Sequence, residues 1–343
     1  MNDSSQVAEI LDKLPSDNDA ETSQMCEKLL AGGPATIAQL IDMVGDEFGD
    51  PAGVKPKYAV HALAIYAARP GADAQRKLVA ETLAEGLDGT HSDELKAFLC
   101  RQLQLCGRPE EIPALARLLE SDRLCEPATQ ALLAIGDPRA IVALRVALPE
   151  AGEKRLPTVI KALGELGDAG SAAAIRQAVD HPNRDVRLMA WYALADMGDA
   201  GSAEVLLKAA ETQAPYERTQ ATSACLLLGR RLGEAGKKSE AEKIFRQLLA
   251  KHQAAEDVHD RAAALEGLAA AIGAGAAGDV MAAMDSREPR YRHPAARTAV
   301  DLAAAIRKDE PQQAQKLLQK VLEATVEETV RQQAQLLLDQ AGR

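Results

Sequence analysis

Residues 185–210 read DVRLMAWYALADMGDAGSAEVLLKAA, and this stretch decides the fold class. Four apolar side chains precede Gly198, at Ala190, Ala193, Leu194 and Met197. Their i, i+3, i+4, i+7 spacing is that of one buried helix face. Glycine takes the left-handed capping conformation without strain, so Gly198 fits the end of that helix. A second apolar segment follows, and the stretch therefore predicts a two-helix hairpin.

The same hairpin pattern returns along the chain about every 31 residues. It is marked by the glycines Gly107, Gly136, Gly167, Gly198 and Gly229, each of which we expect to end a helix. Prolines need no N–H in the first helical turn, so we expect helices to begin at them. These prolines are Pro109, Pro127, Pro138, Pro157 and Pro294. One hairpin cannot bury its own apolar faces, so the repeats predict a stacked array.

The composition agrees with an all-helical fold. Only nine of the 343 residues are aromatic, with one Trp, five Tyr and three Phe. β-Sheet cores are built largely from aromatic and β-branched residues, whereas this chain is rich in good helix formers. The sequence therefore predicts an all-α, right-handed α-solenoid of stacked helical hairpins.

The repeated residues resemble a known family. The elements Asp185-Val186-Arg187, Ala190, Ala193-Leu194 and Gly198-Asp199 are similar to the short HEAT repeats of bacterial proteins, which also occur in phycobilin lyases. The resemblance covers residues 95–217 well, and 20–94 and 257–305 more loosely. The stretch Leu124–Leu133 is also similar to a bacterial HEAT group whose members are often exported and found with carbohydrate-active domains. The resemblance implies a fold and says little about activity.

One repeat is longer than the others. Around Gly229, Ala241 and Phe245 the spacing resembles a tetratricopeptide hairpin, with a glycine at a tight helix crossing, a small residue where helices touch, and Phe245 as the inserted side chain. The predicted organisation is a polar leader or first helix (1–18), HEAT-like repeats (19–217), a tetratricopeptide-like hairpin (218–256), and a further HEAT-like repeat with capping helices (257–343). The capping helices are expected within residues 311–340.

Charge and cysteine usage exclude several classes of function. The net charge of −11 argues against nucleic-acid binding, because an acidic protein repels the phosphate backbone. Five cysteines without a C-x-x-C pair argue against a disulfide framework and a zinc site. The first twenty residues lack signal-peptide features, and we expect no membrane span. The compartment stays open: cytoplasmic from the sequence as given, periplasmic or exported if a signal peptide was removed.

The sequence offers no catalytic constellation. Residues 273–278 match G-x-G-x-x-G, but a predicted helix precedes them where a dinucleotide site needs a β-strand, so a turn between helices is favoured. The six histidines form no H-x-x-x-H or H-E-x-x-H pair for a metal ion. We therefore predict no catalytic residue, no cofactor and no metal ligand.

The candidate partner-binding residues lie on two kinds of helix. Each well-defined second helix carries one basic residue near its middle, and these are Arg117, Arg145, Arg176 and Lys208. They could form a ladder along a concave groove, about 10 Å apart because packed helices lie 8–10 Å apart; alternatively they are solvated and pair with acids such as Glu204 and Glu211. The adjacent Trp191 and Tyr192 point to different sides of one helix, so one should pack and the other be exposed.

A second set of arginines recurs near the start of the first helices, at Arg155, Arg187, Arg218 and Arg261. These are expected to brace neighbouring repeats through ion pairs or backbone carbonyls.

The preferred hypothesis is a noncatalytic scaffold that binds a protein or peptide partner along its groove, an acidic one if the ladder lines it. One alternative is a lyase or lyase chaperone related to the phycobilin-lyase HEAT proteins, for which nine aromatic rings are few. Another is a module that binds an anionic glycan or accompanies a carbohydrate-active enzyme. DNA binding would need a basic channel that the charge disfavours. The sequence leaves the oligomeric state open.

Overall fold

The computed structural model describes residues 3–45, 50–324 and 327–341, and all regular structure in these ranges is helical. The helices cluster into two compact units, residues 1–166 and 167–343. Each unit is a stack of helical hairpins, so the all-α prediction is confirmed. Residues 325 and 326 of the predicted cap lie outside the described ranges. The division into four segments made from the sequence stays a prediction.

The first unit begins with a helix inside the predicted polar leader. Its helices are α1 (Asp3–Asp12), α2 (Asp19–Ala31), α3 (Gly33–Val44), α4 (Val54–Ala67), α5 (Asp73–Asp88), α6 (Asp93–Cys106), α7 (Ile112–Arg117), α8 (Cys125–Ile135), α9 (Pro138–Ala147) and α10 (Leu156–Glu165).

The second unit contains the longest helix of the described ranges. Its helices are α11 (Ala172–Arg176), α12 (Arg184–Asp196), α13 (Ala203–Ala209), α14 (Pro215–Glu234), α15 (Lys238–Lys251), α16 (Val258–Ile272), α17 (Ala277–Met284), α18 (Pro289–Ile306), α19 (Pro311–Glu323) and α20 (Glu328–Ala341). Short 3₁₀ turns precede several of the second helices, including Ala169–Ser171 and Ala200–Ser202.

Each unit has two layers of helices. In the first unit α2, α4, α6, α8 and α10 pack in succession, and α3, α5, α7 and α9 form the other layer. In the second unit α12, α14, α16, α18 and α20 form one such layer, while α13 packs on α15 and α17 on α19. Apolar faces are therefore buried mainly against the next hairpin, as the repeat pattern predicts.

The Gly-Asp pairs end one helix and begin the next. Gly136, Gly167 and Gly198 have φ values of 67°, 64° and 65°, so they take the predicted left-handed conformation. The aspartate that follows acts on the next helix: the Asp137 side chain accepts a hydrogen bond from the Arg139 amide at 2.9 Å, and Asp168 accepts one from the Gly170 amide at 3.3 Å. In the repeated dipeptide, the glycine thus ends one helix and the aspartate caps the start of the next helical segment.

Two of the five marker glycines behave differently from the prediction. Gly229 does not end a helix, because α14 continues to Glu234 and Gly236 supplies the positive φ of 75°. Gly229 lies inside α14 because the ring of Phe245 packs there, where a Cβ atom would come within 2.6 Å of its Cζ. Gly107 follows the end of α6 but with an extended backbone, at φ −58° and ψ 152°.

The prediction that a helix begins at Pro294 is also wrong. Helix α18 begins at Pro289, and Pro294 lies inside it. Pro289 occupies the first turn, where the backbone N–H that proline lacks would have no acceptor within the helix. Thr298 donates its side-chain hydroxyl to the Pro294 carbonyl at 3.1 Å. The other four prolines lie in the first turn of an α-helix or a 3₁₀ turn.

The bracing role predicted for the second set of arginines is confirmed. Arg155 donates to the Leu119 carbonyl at 3.0 Å. Within the second unit, one arginine of each first helix from α12 to α18 reaches an acid at or near the start of the next first helix. The pairs are Arg187–Glu217 and Arg218–Asp257, both at 2.8 Å, together with Arg261–Glu288 and Arg297–Glu327.

The five cysteines are free and buried, and we expect them to be unreactive in the folded protein. Burial raises the pKa of Cys100, Cys106 and Cys225 to about 12 and that of Cys26 to about 11, and it also raises the pKa of Cys125. Since the thiolate is the nucleophile, a disulfide reagent such as DTNB should label no thiol rapidly at pH 8 and all five in denaturant. A thiol of the native protein that reacts within seconds would contradict this expectation.

Candidate functional site

A cavity of about 420 Å³ lies in the second unit, where α12, α13 and the start of α14 meet the turn at residues 179–182. Its wall combines apolar side chains with several charged ones. The lining residues are Val179, Asp180, His181, Pro182, Arg187, Trp191, Val205, Lys208, Ala209, Thr212 and Glu217. We call it the Trp191 cavity.

Trp191 provides a rigid apolar wall. Its side chain is only 4% exposed, and the indole N–H donates to the Val179 carbonyl at 3.1 Å. This hydrogen bond satisfies the single polar atom of a buried tryptophan and fixes the orientation of its ring. The apolar surface that Trp191 contributes, the floor of the cavity, is therefore already ordered before any ligand binds.

Arg187 shapes the cavity and is itself neutralised. It donates to the carboxylate of Glu217 at 2.8 Å and to the carbonyls of His181 and Pro182 at 2.6 and 2.9 Å. These bonds tie α12 to α14 and to the turn before α12. The carboxylate of Glu217 balances the charge of the guanidinium, and two carbonyls accept further hydrogen bonds from it. We therefore assign Arg187 a structural role in this wall.

Lys208 contributes an ammonium group that is available to bind a ligand. It is exposed on α13 and lines the Trp191 cavity. Within the described ranges, no acidic side chain forms an ion pair with it. Asp180 and His181 lie in the same lining; the His181 Nδ1 accepts the Asn183 amide at 3.1 Å, so the neutral ring carries its proton on Nε2. The cavity thus presents one unpaired ammonium beside an apolar floor.

The other bases of the predicted ladder are engaged. Arg117 donates to both carboxylate oxygens of Asp88, with Nε at 3.1 Å, and Arg176 pairs with Asp199. Arg145 is exposed but not without a partner. The acids that hold Arg117 and Arg176 differ from those named in the sequence analysis. The repeated Gly-Asp dipeptide was a signal for Asp199, since that aspartate recurs with the repeat.

The structure brings Lys208 and Trp191 to one cavity and leaves the remaining candidates elsewhere. Tyr192 is 43% exposed, so the adjacent aromatics divide into one packed and one exposed ring, as helix geometry predicts. Tyr192 does not line the Trp191 cavity. Arg117 and Arg145 belong to the first unit and Arg176 and Lys208 to the second.

A further cavity, of about 490 Å³, lies between α2 and α4 in the first unit. Tyr58 and Tyr66 line it, and the Tyr66 hydroxyl donates to Glu27 at 2.6 Å. The imidazole of His61 is the third ring in this lining. A tetrapyrrole pocket of the kind the lyase alternative requires would have to be built around these rings.

The segment Val258–Met284 meets the length and hydropathy of a membrane span. Half of its most apolar window is buried inside the protein. It also comprises two helices, α16 and α17, separated at Gly273, where φ is 57°. This segment contains the G-x-G-x-x-G match, which follows a helix as predicted and so lacks the strand that a dinucleotide site requires.

Comparison with known proteins supports the repeat architecture. The profile described as HEAT repeats matches residues 157–226. Importin beta superposes with a TM-score of 0.56 at 12% identity, covering 94% of this chain and 49% of that one. The karyopherin Kap121p bound to the extreme C-terminus of the protein phosphatase Cdc14p gives 0.54 at 12% identity, covering 98% and 43%. The chain therefore spans a little under half the length of these karyopherins, which it resembles in fold.

The complex of CpcE and CpcF of phycocyanin lyase from Nostoc sp. PCC7120 is a weaker match. Its TM-score is 0.38 at 20% identity, with coverage of 68% of this chain and 94% of that one. No curated protein sequence matches significantly. The comparisons thus establish HEAT repeats in part of the chain and a solenoid fold.

Proposed function

We propose that this protein is a repeat scaffold that binds an extended, acidic segment of a protein partner at the Trp191 cavity. HEAT repeats and a solenoid fold suit such a role, because stacked hairpins present long surfaces to a partner. In the proposed complex an apolar side chain of the partner occupies the floor beside Trp191. A neighbouring carboxylate of the partner meets Lys208.

The observation that carries the proposal is the pairing state of the second-helix bases. Arg117 and Arg176 are held by Asp88 and Asp199. Lys208 lines the cavity together with Asp180 and Glu217, but none of the ion pairs among the described residues includes it. A charge-assisted hydrogen bond to a carboxylate would be shorter and stronger than a neutral one. Of the four basic residues of the ladder, we therefore propose Lys208 as the one that contacts the partner.

Trp191 supports the same site in a different way. Tryptophan is over-represented among the residues that contribute most to protein interfaces. Here the indole is held by its bond to Val179, so little conformational entropy is lost when a partner packs against it. The exposed Tyr192 on the other side of α12 is proposed as a secondary contact.

Charge reversal at Lys208 tests the proposal. Peptides selected from a displayed random library against the purified protein should be enriched in Asp and Glu. We expect Lys208→Glu to raise the Kd of such a peptide at least tenfold, about 1.4 kcal/mol, because attraction is replaced by repulsion. Fluorescence anisotropy with the labelled peptide measures this change.

Lys243→Glu is the matched control, since Lys243 is an exposed lysine on α15 outside the Trp191 cavity. Its Kd should equal that of the unaltered protein. Equal affinities for Lys208→Glu and Lys243→Glu would remove Lys208 from the site, and selected peptides without acidic residues would refute the partner class.

A further inference from the structure

We propose that His252, Asp257 and Asp260 form a binding site for one zinc ion in the second unit. The three residues come from the end of α15, the 3₁₀ turn Ala255–Asp257 and the first turn of α16. One ligand atom of each lies within 4.8 Å of the other two. The chain turns between the two helices and so gathers an imidazole and two carboxylates at one point.

The His252 ring has a buried nitrogen atom that lacks a hydrogen-bond partner. His252 is only 4% exposed, and its Nδ1 has no hydrogen-bond partner. Asp260 Oδ2 lies 3.3 Å away, near enough for attraction but without the alignment of a hydrogen bond. Buried polar atoms are nearly always satisfied, so an orphaned ring nitrogen that faces carboxylates calls for an explanation.

The separation of these two atoms fits metal coordination. Zinc binds nitrogen at about 2.0–2.1 Å and carboxylate oxygen at about 2.0–2.2 Å, so two tetrahedral ligands lie about 3.3 Å apart. The distance from Nδ1 of His252 to Oδ2 of Asp260 is 3.3 Å. A metal ion bound to both atoms would satisfy the nitrogen without a direct hydrogen bond between the two side chains.

Asp257 is already oriented for such a role. Its Oδ1 accepts from Arg218 Nη2 at 2.8 Å and its Oδ2 from the Ala254 amide at 3.3 Å. Each carboxylate oxygen has two lone-pair sites, so Oδ2 keeps one for a metal ion. Hydrogen bonds of this kind hold the ligands of metal sites in place. Arg218 is then a positioning residue.

The donor set selects the class of metal. One imidazole and two carboxylates suit zinc and neighbouring divalent transition metals, whereas Mg²⁺ and Ca²⁺ prefer oxygen ligands alone. Two carboxylates and Arg218 leave a net charge of −1 at the cluster, which a divalent cation offsets. Three protein ligands also leave the fourth tetrahedral position to water. The spacing H-x₄-D-x₂-D matches no motif considered in the sequence analysis.

Calorimetric titration of the untagged, chelator-treated protein with ZnCl₂ tests this site. We expect one equivalent of zinc to bind, and Co²⁺ to give the visible absorption bands of a tetrahedral complex. Zinc should also raise the thermal unfolding midpoint, because it binds the folded state. His252→Gln and Asp260→Asn should each weaken binding at least tenfold and abolish the shift of the midpoint.

Two variants serve as matched controls. His259→Gln removes an exposed histidine next to Asp260 in sequence, and Asp279→Asn removes a carboxylate that pairs with Arg246; both should bind zinc with unchanged affinity. Circular dichroism establishes that each variant is folded. If His252→Gln fails to fold, Asp260→Asn decides, because its side chain is 32% exposed. No binding at micromolar zinc, binding unchanged in Asp260→Asn, or binding lost in His259→Gln would overturn the site.

Discussion

Replacing Phe245 with alanine is expected to lower the free energy of unfolding by about 3–5 kcal/mol. Phe245 is fully buried on α15, and its ring lies between Gly229 of α14 and Gly267 of α16. Removal of the ring would leave a cavity between three helices whose backbones are already close. Surrounding side chains collapse into such a space only in part, so both transfer free energy and packing contacts are lost.

Denaturant-induced unfolding followed by circular dichroism measures the loss. Leu336→Ala is a control for large-to-small substitution at a surface position, since Leu336 is 58% exposed, and it should change stability by no more than about 0.5 kcal/mol. A change below about 1 kcal/mol for Phe245→Ala would show that the ring does not organise the contact of α14, α15 and α16.

Gly267→Ala should destabilise the protein by about 1–3 kcal/mol although alanine is the better helix former. A Cβ atom on Gly267 would overlap Cε1 and Cζ of Phe245, and the fully buried ring is also in close contact with Gly229. The steric cost outweighs the gain of about 0.5–1 kcal/mol that a helical glycine-to-alanine change gives on its own. Denaturant-induced unfolding followed by circular dichroism gives the sign of the change in stability.

Gly278→Ala is the matched control for this substitution. Gly278 lies within α17, and a Cβ atom there would meet nothing within 4 Å, so stability should rise by about 0.5–1 kcal/mol. The double variant Phe245→Leu/Gly267→Ala should lose less stability than the two single variants together, because the smaller side chain makes room. Equal signs for Gly267→Ala and Gly278→Ala would refute the close approach.

The regular part of the fold could be predicted because its signals are local. The second helices at Ile112–Arg117, Pro138–Ala147 and Ala203–Ala209 follow the marker glycines as expected. The end of α14 could not be placed from the glycine rhythm, because Gly229 is required by a ring 16 positions later in the chain. A glycine at a helix end and one under a packed side chain look alike in sequence.

The candidate site was predictable residue by residue but not as an arrangement. Lys208 could be singled out by its position in a repeat, and Trp191 as one of two adjacent aromatic residues on one helix. Their convergence on one cavity depends on the turn at residues 179–182 and on the pairing of Arg187 with Glu217. The engagement of Arg117 by Asp88 likewise joins residues 29 positions apart in neighbouring repeats, and no local spacing predicts it.

The bridges that run from Arg187 to Glu327 in the second unit have a consequence for how such a chain can lengthen. Each of these arginines pairs with a carboxylate in the next hairpin. A duplicated hairpin would therefore bring with it one arginine and one acidic residue that can form these bridges. Insertion of a whole hairpin would leave no charge stranded at either junction. Lengthening the array by duplication of hairpins would therefore keep one arginine–carboxylate pair at each contact between neighbouring hairpins, whatever the number of copies.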